Sequence, residues 1–294
     1  MRASIQTPLT FSSTVKENLP WGDSIKNIKN KTTRIYFQNI NGVQPSQKQR
    51  WPSILRNCIQ HNKCDIIGFC ETGLNWAQKP LSQNIQSTSY RTQKIRTHIS
   101  HSQNSATSPT SFLPGGTMLL TQGHWIGRMT KHLNDPEKWG RWSGTQDRSL
   151  FIITAYRPCI NSLSEHAVSN SNSTYAQQFH ALRKAGVSAP DPRQQVILDL
   201  FKYVTQLDLQ QKDMLLIMLD ANESLGTDNT GISHLTTSLG LIDLFPRYHQ
   251  SKCKIATQSR GSERIDFMFG SPNILPHIVQ CGYLSFNQDI ESDH

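Results

Sequence analysis

The sequence predicts an α/β protein, on three observations. Residues 34–40 form a β-rich run closed by the turn signal Asn41-Gly42, residues 46–61 carry apolar side chains at helical spacing, and residues 65–70 form a second apolar run. Strand, helix and strand in succession are typical of an α/β fold. The 294 residues, 36% of them hydrophobic, are enough for a full core. The longest wholly apolar run, residues 214–219, is too short to cross a membrane.

The rest of the chain alternates further strands and helices. Residues 149–156 are apolar almost throughout, which is typical of a strand buried on both faces. Pro190-Asp191-Pro192 opens the clearest helix, since proline suits a first helical turn. Residues 78–113 are rich in Ser, Gln and Thr and predict a loop. The other predictions are strands at 116–121, 213–219, 242–245, 263–269 and 279–286 and helices at 175–184 and 231–239.

Composition predicts one domain with a polar tail. Residues 1–33 are aperiodic and predict a flexible tail, and residues 34–294 show no repeat or linker. None of the six cysteines forms a C-x-x-C pair, so we expect reduced thiols and an intracellular protein. The net charge of +9 favours nucleic acid as partner, with an acidic membrane second and a basic protein without either partner as the plain alternative.

Polar side chains collect where predicted strands end, the place where sheet proteins build sites. Glu71, Asp220 and Asp293 offer hard carboxylate oxygens, which suit Mg²⁺ or Mn²⁺ and not zinc. An anionic phosphodiester needs such charge neutralisation before water attacks it. Taken singly, each residue has an ordinary interpretation as a turn, a solvated strand end, a core aromatic or a helix cap. The strand-end residues are Asn39, Asn41, Glu71, Tyr156, Asp220, Asn222, Asp293 and His294.

Six motifs in this order resemble the endonuclease/exonuclease/phosphatase superfamily, whose fold is deoxyribonuclease I-like. They are Asn39-Ile-Asn41-Gly42, Cys70-Glu71-Thr72, Tyr156-Arg-Pro158, Asp220-Ala-Asn222, Arg264-Ile-Asp266-Phe267 and Ser292-Asp293-His294. A finer resemblance is to the endonuclease domains of non-LTR retrotransposons and related reverse-transcriptase polyproteins. It rests on Gly140-Arg-Trp142, Ala155-Tyr-Arg-Pro-Cys159, Thr174-Tyr-Ala-Gln-Gln178, Asp191-Pro-Arg-Gln-Gln195, Phe269-Gly-Ser-Pro272 and Cys281-Gly-Tyr283.

The resemblance implies a four-layered α/β/β/α sandwich, in which two mixed β-sheets pack face to face with helices outside. It implies that the domain at 34–294 lacks a last strand and that the polymerase domain is absent from this chain. It also implies a divalent-metal-dependent endonuclease that nicks DNA in the nucleus and leaves a 3′-hydroxyl for reverse transcription. Two alternatives stay open: an abasic-site or phosphatase-type member of the superfamily, or a truncated, inactive DNA-binding remnant.

The resemblance also implies roles for single residues. Glu71 is expected to hold the metal, Mg²⁺ or Mn²⁺, with Asn41 and Asp293 nearby. Many family members have Asp at the position of Asn41, so a negative charge is missing there. The catalytic expectations are Asp220 activating water, Asn39 fixing its carboxylate, Asn222 and Tyr156 donating to the phosphate, and His294, oriented by Asp266, bonding the phosphate or relaying a proton.

Two further expectations concern Cys159 and the basic residues. Many family members have Asn where this chain has Cys159, so one polar contact to the phosphate is expected to be absent. A scatter of basic residues favours DNA over a lipid or small phosphate ester as substrate: Arg96, Lys131, Arg141, Arg148 and Arg157.

Overall fold

Twelve strands carry the fold in the computed structural model, which describes residues 21–23, 31–42, 50–75, 85–87, 90, 96–102, 113–159, 172–226, 230–249, 255–285, 290 and 292–294. The strands are β1 Trp21–Gly22, β2 Ile35–Asn39, β3 Ile66–Cys70, β4 Thr97–Ser102, β5 Thr117–Gln122, β6 Lys131–Asn134, β7 Trp142–Asp147, β8 Leu150–Tyr156, β9 Met214–Asp220, β10 Ile242–Asp243, β11 Asp266–Gly270 and β12 Gly282–Tyr283.

Helices connect these strands. The α-helices are α1 Arg50–Arg56, α2 Thr174–Lys184, α3 Pro192–Gln206, α4 Ile232–Ser238 and α5 Leu244–His249. A π-helical turn, Asn57–His61, extends α1, and 3-10 turns span Gly123–Trp125 and Pro272–His277. The Asp191 carboxylate caps α3 by accepting the backbone N–H groups of Arg193 and Gln194, as a residue at that helix position commonly does.

Two mixed sheets result, and the predicted fold class is confirmed. One sheet has the order β2-β3-β5-β4, with β2 and β3 parallel and its other pairs antiparallel. The other has the order β10-β11-β9-β8-β7-β6, with β8 and β9 parallel and its other pairs antiparallel. The strand, helix and strand that open the chain become β2, α1 and β3.

Alternation along the central strands builds the four layers. On β3, Ile66 faces the other sheet, whereas Ile67 and Phe69 pack under α1. On β9, Leu216 and Met218 face the first sheet, and the alternate side chains pack under α3 and α4. Gly68 marks a close approach of the sheets, because a Cβ there would lie 2.6 Å from Met218 Cε. The core therefore has three apolar layers, one between the sheets and one under each set of helices.

Several sequence predictions differ from the structure. β4 lies inside the predicted loop at 78–113, and β6 and β7 were not predicted. The strand predicted at 242–245 ends early, because β10 is followed by α5 from Leu244. The strand predicted at 263–269 begins late, because β11 starts at Asp266. The strand predicted at 279–286 is the two-residue β12, and its last residue lies outside the described ranges. β4, β6 and β10 are short or polar strands at sheet edges, where neighbours rather than sequence pattern decide the pairing. β7 lies inside the larger sheet, but its sequence is mostly polar and carries no apolar pattern.

The polar N-terminal stretch contributes one ordered piece. β1 pairs antiparallel with β12, and the Asp23 backbone N–H donates to the Cys281 carbonyl at 3.0 Å. The flexible tail predicted at 1–33 otherwise falls mainly on residues 1–20 and 24–30, outside the described ranges. Among the described residues, no helix is both long and apolar enough to cross a lipid bilayer.

Candidate active site

The predicted site residues meet at one end of the sandwich because of strand direction. β2 and β3 run parallel in one sheet, and β8 and β9 run parallel in the other, so each pair ends together. In the register of the larger sheet, Asp220 stands opposite Tyr156 on one side and opposite Asp266 on the other. Carboxylates and amides from both sheets therefore converge where the strands end, as in other sheet proteins with sites at strand ends.

The buried half of this site consists of Asn39, Asp220, Asp266 and His294. Asn39 and Asp220 are 1% and 0% exposed, and the Asn39 Nδ2 group donates to Asp220 Oδ2 at 2.7 Å, which joins the two sheets. The other oxygen of Asp220 accepts the backbone N–H of Asn222 at 3.0 Å. His294 Nδ1 lies 2.9 Å from Asp266 Oδ2. Each of these four side chains thus has at least one hydrogen-bonding partner in the protein.

Burial and charge shift the pKa values of this half. Burial raises the pKa of Asp220 well above its ordinary value, and the nearby charges of Asp266 and Glu71 act in the same direction. For His294, burial alone would lower the pKa, but the hydrogen bond and charge of Asp266 outweigh it and raise the pKa to about 9. A histidine with that pKa is protonated at neutral pH. A carboxyl group and an imidazole with shifted pKa values, lying close together, are typical of functional sites.

Residues 292–294 are held against β2. The Ser292 hydroxyl donates to the Asn39 carbonyl at 2.7 Å, and Gln38 Nε2 donates to the His294 carbonyl at 2.8 Å. The Ser259 backbone N–H donates to the Asp293 carbonyl at 2.6 Å. These contacts explain how a histidine so far along the chain reaches the ends of the strands.

The open half of the site consists of Asn41, Glu71 and Asp293. Asn41 is exposed and the other two are half-buried. Asn41 Nδ2 donates to Asp293 Oδ1 at 3.1 Å, and the Gly42 backbone N–H donates to the Glu71 carbonyl at 2.6 Å. Asn41 and Glu71 adopt left-handed backbone angles, with φ values of 48° and 49°. Such conformations are uncommon outside glycine and concentrate at functional sites.

A third group, named the phosphate edge for the role expected of Tyr156 and Asn222, consists of Tyr156, Cys159 and Asn222. Burial, followed by the charge of Glu71, raises the pKa of Tyr156 well above its ordinary value. The Cys159 thiol donates to Asn222 Oδ1 at 3.0 Å, and Asn222 Nδ2 donates to the Arg157 carbonyl at 2.8 Å. Asn222 is also left-handed, with φ 49°. The backbone N–H of Asn222 joins this edge to the strand end at Asp220.

Two groups of side chains in this site offer oxygen ligands to a hard divalent cation. Asp266 is only 7% exposed, and its Oδ1 atom is buried without accepting a hydrogen bond from the described residues. Ligand atoms of Asp220, Asp266 and His294 lie within 4.8 Å of one another. This cluster differs from the predicted metal set of Glu71, Asn41 and Asp293, in which the structure joins Asn41 directly to Asp293. Clustered carboxylate and amide oxygens are the ligands that Mg²⁺ and Mn²⁺ prefer.

Two of the basic residues expected to favour DNA are buried. Arg141 is 0% exposed and pairs with Asp135 and Asp199, so it links the β6–β7 connection to α3. Arg157 is 3% exposed and pairs with Glu223. The interpretation of these two as DNA-facing is wrong, because a paired and buried guanidinium is not available to a phosphate. Arg96, Lys131 and Arg148 are exposed, as that interpretation requires.

Arg193 is a site-supporting residue that the sequence reasoning missed. It stands in the first turn of α3, where its Nη1 group donates to the Pro158 carbonyl at 2.6 Å and its Nη2 group to the Asn222 carbonyl at 3.1 Å. Both carbonyls belong to the loops that form the phosphate edge. The Asp191-Pro-Arg run places an arginine at the start of this helix, but it does not indicate which carbonyls the side chain reaches.

Solved structures share this architecture. An AP endonuclease from Leishmania major is 13% identical, with a TM-score of 0.62 over 92% of this chain and 88% of that one. An AP endonuclease from Archaeoglobus fulgidus is 14% identical, with a TM-score of 0.53 over 83% and 89%. The chain has the deoxyribonuclease I-like fold. The catalytic domain of human Nocturnin, solved with a bound sulfate anion, is 12% identical, with a TM-score of 0.50 over 82% and 83%.

Comparisons of sequence give no such neighbour. No family model matches the chain. No curated protein sequence matches it either. At identities of 12–14%, the structural likeness establishes the fold alone, and the roles of the site residues remain predictions.

Proposed function

We propose that this chain is a divalent-metal-dependent phosphodiester hydrolase that nicks DNA, as the endonuclease of a non-LTR retroelement. The observation that carries the proposal is the buried Asn39–Asp220 hydrogen bond of 2.7 Å beside the Asp266–His294 pair. Together these four side chains offer an oriented carboxylate and an oriented cation in one water-poor place. Hydrolysis of a phosphodiester requires both, since water must be activated and the charge on phosphate oxygens must be balanced.

Asp220 is the group that activates water in this proposal. Asn39 Nδ2 and the Asn222 backbone N–H fix its two oxygens, so the remaining lone pairs point in defined directions. Its raised pKa brings this carboxylate closer to the pH at which a general base works best. Glu71, Asn41 and Asp293 would hold the Mg²⁺ or Mn²⁺ ion, which supplies Lewis-acid neutralisation of phosphate charge when bound.

His294 is the cationic donor. Because Asp266 engages Nδ1, the imidazole presents Nε2 to a phosphate oxygen, and the pKa of about 9 keeps the ring protonated at neutral pH. Asn222 adds a second donor: one hydrogen of Nδ2 is used by the Arg157 carbonyl, and the other is left for phosphate. Tyr156 is the third donor. Oriented donors of this kind each account for about 10²- to 10³-fold in rate.

The charge of the chain supports DNA as the substrate. The net charge is +9, and Arg96, Lys131 and Arg148 are exposed. Basic surface residues bind the DNA backbone by counterion release, so affinity should fall steeply with salt. A nuclear location belongs to the same proposal, because target DNA for a retroelement is chromosomal.

A supercoiled-plasmid nicking assay tests the proposed function. We expect relaxed circles with Mg²⁺ or Mn²⁺ and intact supercoils with EDTA. Nicking that persists in EDTA would contradict the metal dependence. Absence of nicking together with salt-sensitive DNA binding would contradict catalysis and favour an inactive DNA-binding remnant.

Abasic-site cleavage is the second candidate function. Two structures with this fold are AP endonucleases by description, which favours this activity over a phosphatase. Paired oligonucleotides with and without one abasic site separate the two candidates. Cleavage confined to the abasic strand would favour repair, whereas comparable cleavage of both would favour the nicking endonuclease.

A further inference from the structure

Asn222 is held at four atoms in a left-handed backbone conformation. Its backbone N–H donates to Asp220 Oδ1 at 3.0 Å, and its carbonyl accepts from Arg193 Nη2 at 3.1 Å. Its Nδ2 group donates to the Arg157 carbonyl, and its Oδ1 accepts from the Cys159 thiol. Three of these contacts come from a buried network, and the fourth comes from an exposed cysteine.

The two side-chain contacts together decide which way the amide points. A backbone carbonyl only accepts hydrogen bonds, so the Arg157 side of the amide must carry Nδ2. The Cys159 thiol can donate, and at 3.0 Å from Oδ1 it satisfies the opposite side. An amide turned by 180° would face Oδ1 against the Arg157 carbonyl, lose that bond, and keep only a weak N–H···S contact with the thiol. The thiol therefore reinforces the orientation in which Nδ2 has one hydrogen free for a ligand.

We infer that Cys159 is a positioning residue that fixes the Asn222 amide for contact with the scissile phosphate. The inference rests on the proposed function for its catalytic consequence, and on geometry alone for the orientation of the amide. It replaces the expectation that a polar contact is merely missing at this position. Cys159 acts through Asn222 and needs no contact with substrate of its own.

Nicking kinetics of Cys159→Ala and Cys159→Ser test the catalytic part. Loss of one hydrogen bond should lower kcat about 3- to 10-fold with KM for plasmid unchanged, since the affected donor acts on the transition state. Serine keeps a donor and should restore kcat to within about twofold. In an Asn222→Ala background, Cys159→Ala should lower kcat little further, because its partner is gone. Cys281→Ala, a thiol elsewhere in the chain, serves as the control.

The orientation is measured separately by NMR on protein labelled with ¹⁵N-asparagine. The side-chain amide of Asn222 is assigned by its loss in Asn222→Ala. We expect this pair of resonances to shift and exchange faster with water in Cys159→Ala, and to return in Cys159→Ser. The amide measurement needs neither metal nor DNA, so it stands even if the wild-type protein nicks nothing and the proposed function fails.

Several outcomes would overturn the inference. If the wild-type protein nicks DNA, three results would do so: equal kcat for wild type and Cys159→Ala, an equal loss of kcat in the alanine and serine variants, or effects of Cys159→Ala and Asn222→Ala on kcat that are fully additive. An Asn222 amide that is unchanged in Cys159→Ala would overturn it in any background.

Discussion

The buried half and the open half of the site differ in how they are held. Asn39, Asp220 and Asp266 belong to regular strands and are almost fully buried. A hydrogen bond across the two sheets orients Asn39 and Asp220, and His294 orients Asp266. Asn41 and Glu71 follow strand ends, reach solvent, and carry strained backbone angles. The sheets therefore fix the orientation of the buried side chains, whereas the loops that follow the strands give the open-half side chains access to solvent.

The two halves also differ in charge balance. In the buried half, the charge of Asp266 faces the His294 cation at 2.9 Å. In the open half, Glu71 and Asp293 are carboxylates, and Asn41 is a neutral amide that donates to Asp293. A solvent-accessible pair of carboxylates is suited to an exchangeable cation, and a buried pair of opposite charges is suited to proton and phosphate chemistry. We therefore expect variants in the two halves to fail in different ways.

The largest effect is expected in the buried half, from Asp220→Asn. The amide keeps the shape but cannot accept a proton, so the nicking rate should fall about 10²- to 10⁴-fold. DNA affinity should change little, because it comes from phosphate contacts with Lys and Arg. Asp208→Asn, the same change at an exposed position, is the control. Nicking above a tenth of the wild-type rate would remove Asp220 from its assigned role.

The next effect concerns the stability that the His294–Asp266 pair contributes. Because the folded pKa of about 9 lies above the ordinary 6.5, this contribution is complete below pH 6.5 and is lost as pH rises through 9. The shift sets a ceiling of about 3 kcal/mol. Urea unfolding in EDTA should therefore separate wild type from His294→Gln at pH 6 and not at pH 10. His277→Gln, an exposed histidine, should show no such difference, and a gap that persists at pH 10 would contradict the assignment.

A smaller effect is expected in the open half, from Asn41→Asp. The added carboxylate supplies the charge that a hard cation prefers, so the Mg²⁺ concentration for half-maximal nicking should fall about 3- to 10-fold. The same change replaces a hydrogen bond to Asp293 by repulsion, so melting temperature in EDTA should drop slightly. Asn172→Asp is the exposed control. An unchanged midpoint would exclude Asn41 from the neighbourhood of the metal.

Much of the fold was predictable because the central strands carry strong apolar patterns. The runs at 34–40, 65–70, 149–156 and 213–219 became β2, β3, β8 and β9, which form the two parallel pairs. Parallel pairs bring strand ends together, which is why Asn39 and Asp220 could be expected in one place. β4, with the polar sequence Thr-His-Ile-Ser-His-Ser, has no such pattern, and its pairing depends on the neighbouring β5.

The supporting contacts were not predictable, for a different physical reason. Arg193 reaches carbonyls on two other loops, and backbone carbonyls leave no trace in the sequence. Arg141 and Arg157 are basic residues by sequence but are buried and paired, since their carboxylate partners come from other elements. Cys159 was expected only as a missing polar contact, although its thiol donates to Asn222. Sequence shows which groups are present, and the fold decides which of them meet.

Metal titrations of Glu71→Gln and Asp220→Asn, measured side by side as nicking rate against Mg²⁺ concentration, test the division between the halves most directly. The account predicts that Glu71→Gln raises the half-maximal Mg²⁺ concentration about tenfold and approaches the wild-type rate at saturation. It predicts that Asp220→Asn keeps the wild-type midpoint and saturates at a rate at least 10²-fold lower. A shifted midpoint in Asp220→Asn together with an unshifted one in Glu71→Gln would contradict it, and would place the metal in the buried half.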